Sequence, residues 1–414
     1  MRRPLSLAAL VTGHFITDCY MGMIAPLLPF VRDRLDLSLF WMGTIPVFAS
    51  LTASLAQPLF GWVCDRTRGA YLVGLGVACT GVGICTFGMA DGFIPMMVLL
   101  ALGGLGCGAF HPAGAALASA AGGKRRDLAL AIFSPGGITG YSAGPVVAIW
   151  LYHLWGLDGM WPAMAVGLVI GPMIGAVAWR MERPQAKADA EAEGVPINSA
   201  IAGMPRSRRL RTLAILLVVV FLRSAIIIVF IAYLAQLLKD LGVPKERWGY
   251  IVGGFSFGGG VAGLIGGALA HLIGRRRLTV VSLALTGPVL LAFLHVDGPM
   301  RWVMLILGGS LAQMAVPANI VQAQILLPTR RSLASALTMG FCWGTAAMLA
   351  PIFGSIADAT SLTFALSLAC GLPALSSMLA LLVPDLRDDD GSGSSPEPPF
   401  LPPAILESVD GEQR

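Results

Sequence analysis

Charge is scarce in this sequence. Only 12% of its 414 residues are Asp, Glu, Lys or Arg, about half the roughly 25% of an ordinary soluble domain. A soluble chain of this length would form two or three domains and need polar residues to cover them, so that class is excluded. Cysteine is limited to seven residues, Cys19, Cys64, Cys79, Cys85, Cys107, Cys342 and Cys370. Their odd number, apolar surroundings and lack of C-x-x-C spacing exclude a disulfide scaffold and a structural zinc site. The sequence also has no P-loop, no H-E-x-x-H and no pair of membrane aspartates, so an ATP-driven pump or an intramembrane protease lacks its chemistry. Gly254-Phe-Ser256-Phe-Gly258 matches G-x-S-x-G but lies inside a glycine-rich apolar stretch, where the strand-to-helix turn of a nucleophile elbow cannot form. No catalytic residue, cofactor or metal is therefore assigned, and the chain is not read as an enzyme.

What is abundant is apolar sequence: 56% of residues are hydrophobic and the mean hydropathy is +0.76. About 20 apolar residues cross a bilayer core as a helix. Twelve runs of that kind occur, near 5–30, 39–60, 71–90, 93–119, 127–151, 159–179, 212–238, 248–270, 278–296, 302–327, 332–357 and 361–383. Met1-Arg2-Arg3 is not read as the start of a signal peptide, because the apolar stretch continues through His14 and Asp18 to Phe30 with no small-x-small cleavage site. With loops numbered alternately, 21 of the 28 Lys and Arg residues fall on the side of the N-terminus and six on the other, with Arg223 inside a span. The positive-inside rule then predicts both termini in the cytoplasm, and the +5 net charge reflects topology and gives no argument for nucleic acid. Every tryptophan but Trp343 lies near a span end, as in an interfacial belt.

The only long polar interruption, 180–211, divides the spans six and six, giving expected units 1–179 and 212–383 joined by a cytoplasmic linker. The stretch 384–414, with Asp388-Asp389-Asp390 and Pro-rich sequence, is expected to be a disordered cytoplasmic tail. The halves read as repeats: an offset of 205 carries Pro112 onto Pro317 and Arg125-Arg126 onto Arg330-Arg331, and 206 carries Gly61 onto Gly267 and Pro145 onto Pro351. The predicted fold class is thus an all-α membrane protein with 12 transmembrane helices in two pseudo-symmetric six-helix bundles. Such repeats place a substrate site between them near the midplane.

Asp18 lies about fourteen residues into its span, roughly 20 Å from the terminal side. A carboxylate at that depth must face a water-filled cavity or a partner, which makes it a functional candidate. His14, one turn earlier on the same face, can share a proton with it. The offset of 205 maps Asp18 onto Arg223, so the two charges are expected to face each other, either as a static ion pair or in proton or substrate binding. His111, followed by Pro112 in the fourth span, reads as a cavity residue or a packing histidine. Gln313, Asn319 and Gln322 in the tenth span read as interhelical glue or as substrate hydrogen-bonding groups, and Gln57-Pro58 in the second span is similar. Gly136, Gly140 and Gly144-Pro145 form a stripe in the fifth span, and Gly259, Gly263 and Gly267 repeat the interval in the eighth. Small residues at every fourth position let helices approach closely.

Gly61-Trp-Val-Cys-Asp65-Arg66-Thr-Arg68-Gly69 resembles the G-x-x-x-D-R-x-x-G signature loop of the major facilitator superfamily, and Gly267 to His271 and Arg275-Arg276 resembles its degenerate second copy. Over 1–383 the chain looks like a member of that superfamily. The resemblance implies that Asp65 sits at a helix start and pairs with cytoplasmic arginines as a latch, with Gly61, Arg66, Gly69, His271 and Arg275 around it. The sequence departs from the pattern at Ala70 and at His271, which replaces the second aspartate. Gly140-x-x-x-Gly144-Pro145 resembles the motif of exporters that exchange substrate for protons. His14-Phe-x-x-Asp18, Pro26-Leu-Leu-Pro29, Gln57-Pro58 and Gly108-Ala-Phe110-His111-Pro112 resemble the fosmidomycin-resistance branch of exporters. The implied function is a proton-coupled antiporter of the bacterial inner membrane, working as a monomer and exporting a small organic molecule, anionic or drug-like. The alternatives are an uptake symporter or facilitator on the same fold, and a non-transporting membrane sensor.

Overall fold

The computed structural model describes residues 4–122, 126–181, 201 and 204–386. Most of the linker (182–200, 202–203) and the tail from 387 lie outside the described residues, as do the side chains of Asp65, Arg126, Asp127 and Arg331. Among the described residues every element is helical and there is no strand.

Among the described residues eleven helices are long and apolar enough to cross a membrane: Pro4–Leu35, Leu39–Cys64, Ala70–Met89, Phe93–Gly122, Asp158–Arg180, Arg206–Asp240, Lys245–Ile273, Arg275–His295, Pro299–Leu326, Leu333–Ala359 and Leu362–Ala380. A twelfth, Arg126–Trp155, is equally helical, and its core is diluted by Ser, Thr, Gly and Pro. In chain order it is the fifth span, and the others keep the order of the expected runs. The ends differ from the apolar runs where capping extends a helix. Ser38 accepts a hydrogen bond from the Trp41 amide at the start of the second span, and Ser361 does the same for Phe364 at the start of the twelfth. The seventh span begins at Arg206, well before the apolar run at 212, because its first turns carry the exposed arginines of the linker.

Within the first half, the first span packs on the fourth and fifth, and the fourth packs on the second and third. The third also packs on the sixth. Within the second half the eighth and ninth pack on the tenth, and the seventh and ninth on the twelfth. The halves meet where the fifth span lies on the eighth, the second on the eleventh and the first on the seventh. Outward faces are apolar: the sixth span exposes Val166, Val169 and Met173.

The glycine stripe of the fifth span is the seat of the first. A Cβ on Gly140 would lie 2.8 Å from the Phe15 carbonyl carbon and Cα, and backbone cannot yield as a flexible side chain does. Gly136 and Gly144 likewise approach the backbone at Val11 and Cys19. Gly140→Ala is therefore expected to cost about 1–3 kcal/mol by overpacking, read as a fall in melting temperature in detergent. An unchanged melting temperature would mean that the two spans do not touch there.

At the end of the spans away from the termini, polar groups tie the halves together. The Asp358 carboxylate accepts the amides of Leu39 and Phe40 at 2.8 and 2.9 Å, capping the second span from the eleventh. The Tyr233 hydroxyl of the seventh span lies 2.9 Å from the Leu39 carbonyl and 2.8 Å from that of Ala350. Lys239 pairs with Asp33, and His153 lies 3.6 Å from Glu246.

Candidate functional site

Between the halves is a cavity of ≈ 470 Å³. Its wall includes Asp18, His111, Arg223, Gln57, Gln313 and Asn319, six of the residues singled out in the sequence. His14 stands behind Asp18, and Gln322 is buried outside the wall.

Asp18 is held between two imidazoles. His14 Nε2 lies 3.3 Å from Oδ2 and His111 Nε2 lies 3.3 Å from Oδ1. The first contact follows from helical spacing within one span; the second joins the first span to the fourth. The other ring nitrogens face backbone carbonyls: His14 Nδ1 is 3.0 Å from the Phe133 oxygen and His111 Nδ1 is 2.9 Å from the Cys107 oxygen. A carbonyl only accepts, so each Nδ1 carries hydrogen and each Nε2 is aimed at the carboxylate. With Asp18 ionised, both contacts are hydrogen bonds only when both rings are imidazolium. Each proton lost leaves a ring lone pair facing a carboxylate oxygen. One donor atom from each of the three residues lies within 4.8 Å of the others.

Gly137 completes this corner. A Cβ there would press on His14 Nε2 and Asp18 Oδ2, so only glycine fits against that side of the cluster. The sequence stripe at Gly136, Gly140 and Gly144 pointed to helix packing, and it sets the fifth span close enough for Gly137 to border the site.

Arg223 does not pair with Asp18. Its Nη1 donates to Gln313 Oε1 at 2.6 Å and its Nη2 to Ser224 Oγ at 3.0 Å, while Nε has no partner. The internal offset gives equivalent positions in the two halves without fixing where the side chains point. Arg223 is 3% exposed, which makes it a buried cation with two neutral partners. Asn319 Oδ1 accepts from Thr279 at 3.1 Å, and its Nδ2 is unpartnered, as is Gln322 Nε2.

Asp65 corrects another expectation. The second helix runs through Arg66, so Asp65 sits in its last turn, at the negative end of that helix's dipole. Its side chain lies outside the described residues, and the expected latch pairing with it. Arg66 stacks 4.1 Å over the Trp62 ring and is exposed, as is His271 at the end of the eighth span. Gly69 is buried at the start of the third span, and Arg275 donates to the Leu386 carbonyl at 2.6 Å.

Two features of the wall had no clear reading in the sequence. Trp343, the one tryptophan away from the span ends, lines the cavity. One turn before it the eleventh span takes a π-helical turn, Ala336–Phe341, which carries Thr338 and Met339 of the wall. Such turns recur at functional sites.

Helical spans in two halves around a cavity that carries buried charged and amide side chains are the plan of a membrane transporter. The family model of the Major Facilitator Superfamily matches residues 10–351 and 213–406, and the chain belongs to that superfamily. It is 27% identical over 386 residues to the fosmidomycin resistance protein of Escherichia coli (strain K12), covering 93% of this chain and 94% of that one. It is 25% identical to the uncharacterized MFS-type transporter YfnC of Bacillus subtilis (strain 168), covering 90% of each. Among solved structures it is similar to a bacterial homolog of the human lysosomal transporter Spinster in an inward-facing, occupied conformation, with TM-score 0.74, 14% identity and coverage of 91% and 96%. The nucleoside transporter NupG follows at TM-score 0.67 and 13% identity, covering 92% of this chain and 99% of that one. The chain is thus a multi-pass membrane transporter whose relatives include resistance proteins.

Proposed function

We propose that the chain exports a small anionic organic molecule in exchange for protons, by rocking of its six-span halves about the central cavity. Both termini lie in the cytoplasm of a bacterial inner membrane. The observation that carries the reading is Arg223. A guanidinium this deeply buried requires compensation, it borders a cavity of drug-like size, and its partners, Gln313 and Ser224, are uncharged. A carboxylate or phosphonate on the cargo supplies the missing charge. Asp18, between His14 and His111, is the proton-carrying group on the facing part of the wall.

Everted membrane vesicles test this. With the vesicle interior made acidic, labelled fosmidomycin, the compound named for the Escherichia coli relative, should accumulate inside. A neutral ester of the same compound should not. Cells carrying the chain should tolerate a several-fold higher dose. Accumulation driven in the opposite direction would replace export by uptake, and equal handling of acid and ester would remove Arg223 from recognition.

A further inference from the structure

We propose that His14, Asp18 and His111 form a binding site for a divalent transition-metal ion of the zinc type, open toward the transport cavity. The inference goes beyond transport and is independent of its direction and cargo.

Three observations converge. The first is the spacing. In a tetrahedral site with bonds of about 2.0–2.1 Å, neighbouring ligand atoms are about 3.3 Å apart. His14 Nε2 stands 3.3 Å from Asp18 Oδ2 and His111 Nε2 3.3 Å from Oδ1, so the carboxylate offers a different oxygen to each ring, and one donor from each residue lies within 4.8 Å of the others. The rings meet edge to face at 86°, with centroids 5.1 Å apart, which lets both nitrogens converge on one point without stacking. The second is the outer layer. Metal-binding histidines almost always donate the other ring N–H to a carbonyl or carboxylate, which fixes the tautomer and leaves a lone pair for the ion. Phe133 and Cys107 supply these carbonyls from two different spans, so both rings are set in the ligating tautomer. The third is the fit of the fifth span. Gly137 packs so closely that a Cβ would lie within 2.5 Å of His14 Nε2 and Asp18 Oδ2, so any larger residue would displace the ligand atoms. Asp18, His111 and Gly137 all border the cavity, so the fourth coordination position faces solvent and cargo.

Two imidazoles and one carboxylate favour zinc-like ions over magnesium or calcium, which prefer oxygen shells. Three protein ligands with a free fourth position make a site that accepts an oxygen donor from outside. A bound ion would turn the negative corner of the cavity into a second anchor for an anionic cargo, opposite Arg223.

The test is a Co²⁺ titration of the purified, untagged, metal-stripped full chain in nanodiscs. One Co²⁺ per chain should bind with the visible absorption of a four-coordinate site, and Zn²⁺ should displace it and raise the melting temperature reversibly by chelation. His14→Gln and His111→Gln should each weaken binding by more than the roughly 10–100-fold that loss of an outer partner costs. Gly137→Ala keeps all three ligands, displaces their donor atoms and should also abolish binding. His295→Ala, at the exposed end of the ninth span, should leave it unchanged. If a histidine variant does not fold, the wild-type absorption and melting shift and the Gly137→Ala result decide. No saturable Co²⁺ binding, or binding that survives His111→Gln, overturns the proposal. Export by metal-stripped vesicles is measured separately, so failure of the metal site and failure of the antiport reading give different results.

Discussion

Asp18→Asn should cut proton-driven export to the rate seen without a pH gradient while the protein still folds and binds cargo. The amide has the size of the carboxylate and fits between the two imidazoles, with its NH₂ donating to one Nε2 and its oxygen left facing the lone pair of the other. It can neither take up nor release a proton, so the proposed proton-carrying group is lost. The mismatch at one contact costs about 1–3 kcal/mol, the penalty for an imperfectly paired buried polar group. Transport in vesicles with and without a gradient, together with the melting temperature, reads both effects. Gradient-driven export by a stable Asp18→Asn protein would move the proton site elsewhere.

Arg223→Gln should act on cargo instead. A hydrogen bond to a charged group contributes about 1.5–3 kcal/mol, so affinity for an anionic cargo is expected to fall roughly 10- to 150-fold. Stability should fall little, since replacing a buried cation by a neutral amide relieves its desolvation, and Gln313 and Ser224 can bond to the new side chain. Binding measured by thermal shift or calorimetry checks the first effect, and unfolding the second. Because Arg223 bonds to Gln313 and Ser224 while Asp18 bonds to histidines, the stability effects of Asp18→Asn and Arg223→Gln should add, with coupling below about 0.5 kcal/mol. Coupling above 1 kcal/mol would show that the two charges meet.

The contrast between these residues shows what was legible before the structure. The depth of Asp18 and its pairing with His14 follow from apolar run length and helical period, both local properties. The approach of His111 depends on how the first and fourth spans pack, which no local pattern encodes. Arg223 was placed in the cavity by the internal repeat, but the repeat fixes backbone positions and leaves side-chain direction to neighbours such as Gln313. The fifth-span glycines announced a close helix contact without naming its partner, and Gly137, off the stripe by one residue, gained meaning only once the first span lay against it. The helix start expected for Asp65 came from the resemblance of its loop to the family signature, whereas the helix here continues through Arg66. The π turn at Ala336–Phe341 has no compositional mark, though Trp343 stood out by its absence from the interfacial belt.

The closure away from the termini sets the energy scale of the cycle. It consists of a carboxylate cap on the second span, a tyrosine hydrogen bond and exposed ion pairs. Such contacts contribute about 0.5–2, 0.5–1.5 and 0–1 kcal/mol respectively. Breaking these contacts costs a few kcal/mol in all, the share that this end contributes to opening there. A ligand that prefers an open conformation about 100-fold favours it by roughly 2.7 kcal/mol, an amount of the same size. The closure is weak enough for one small bound molecule to decide which side is open.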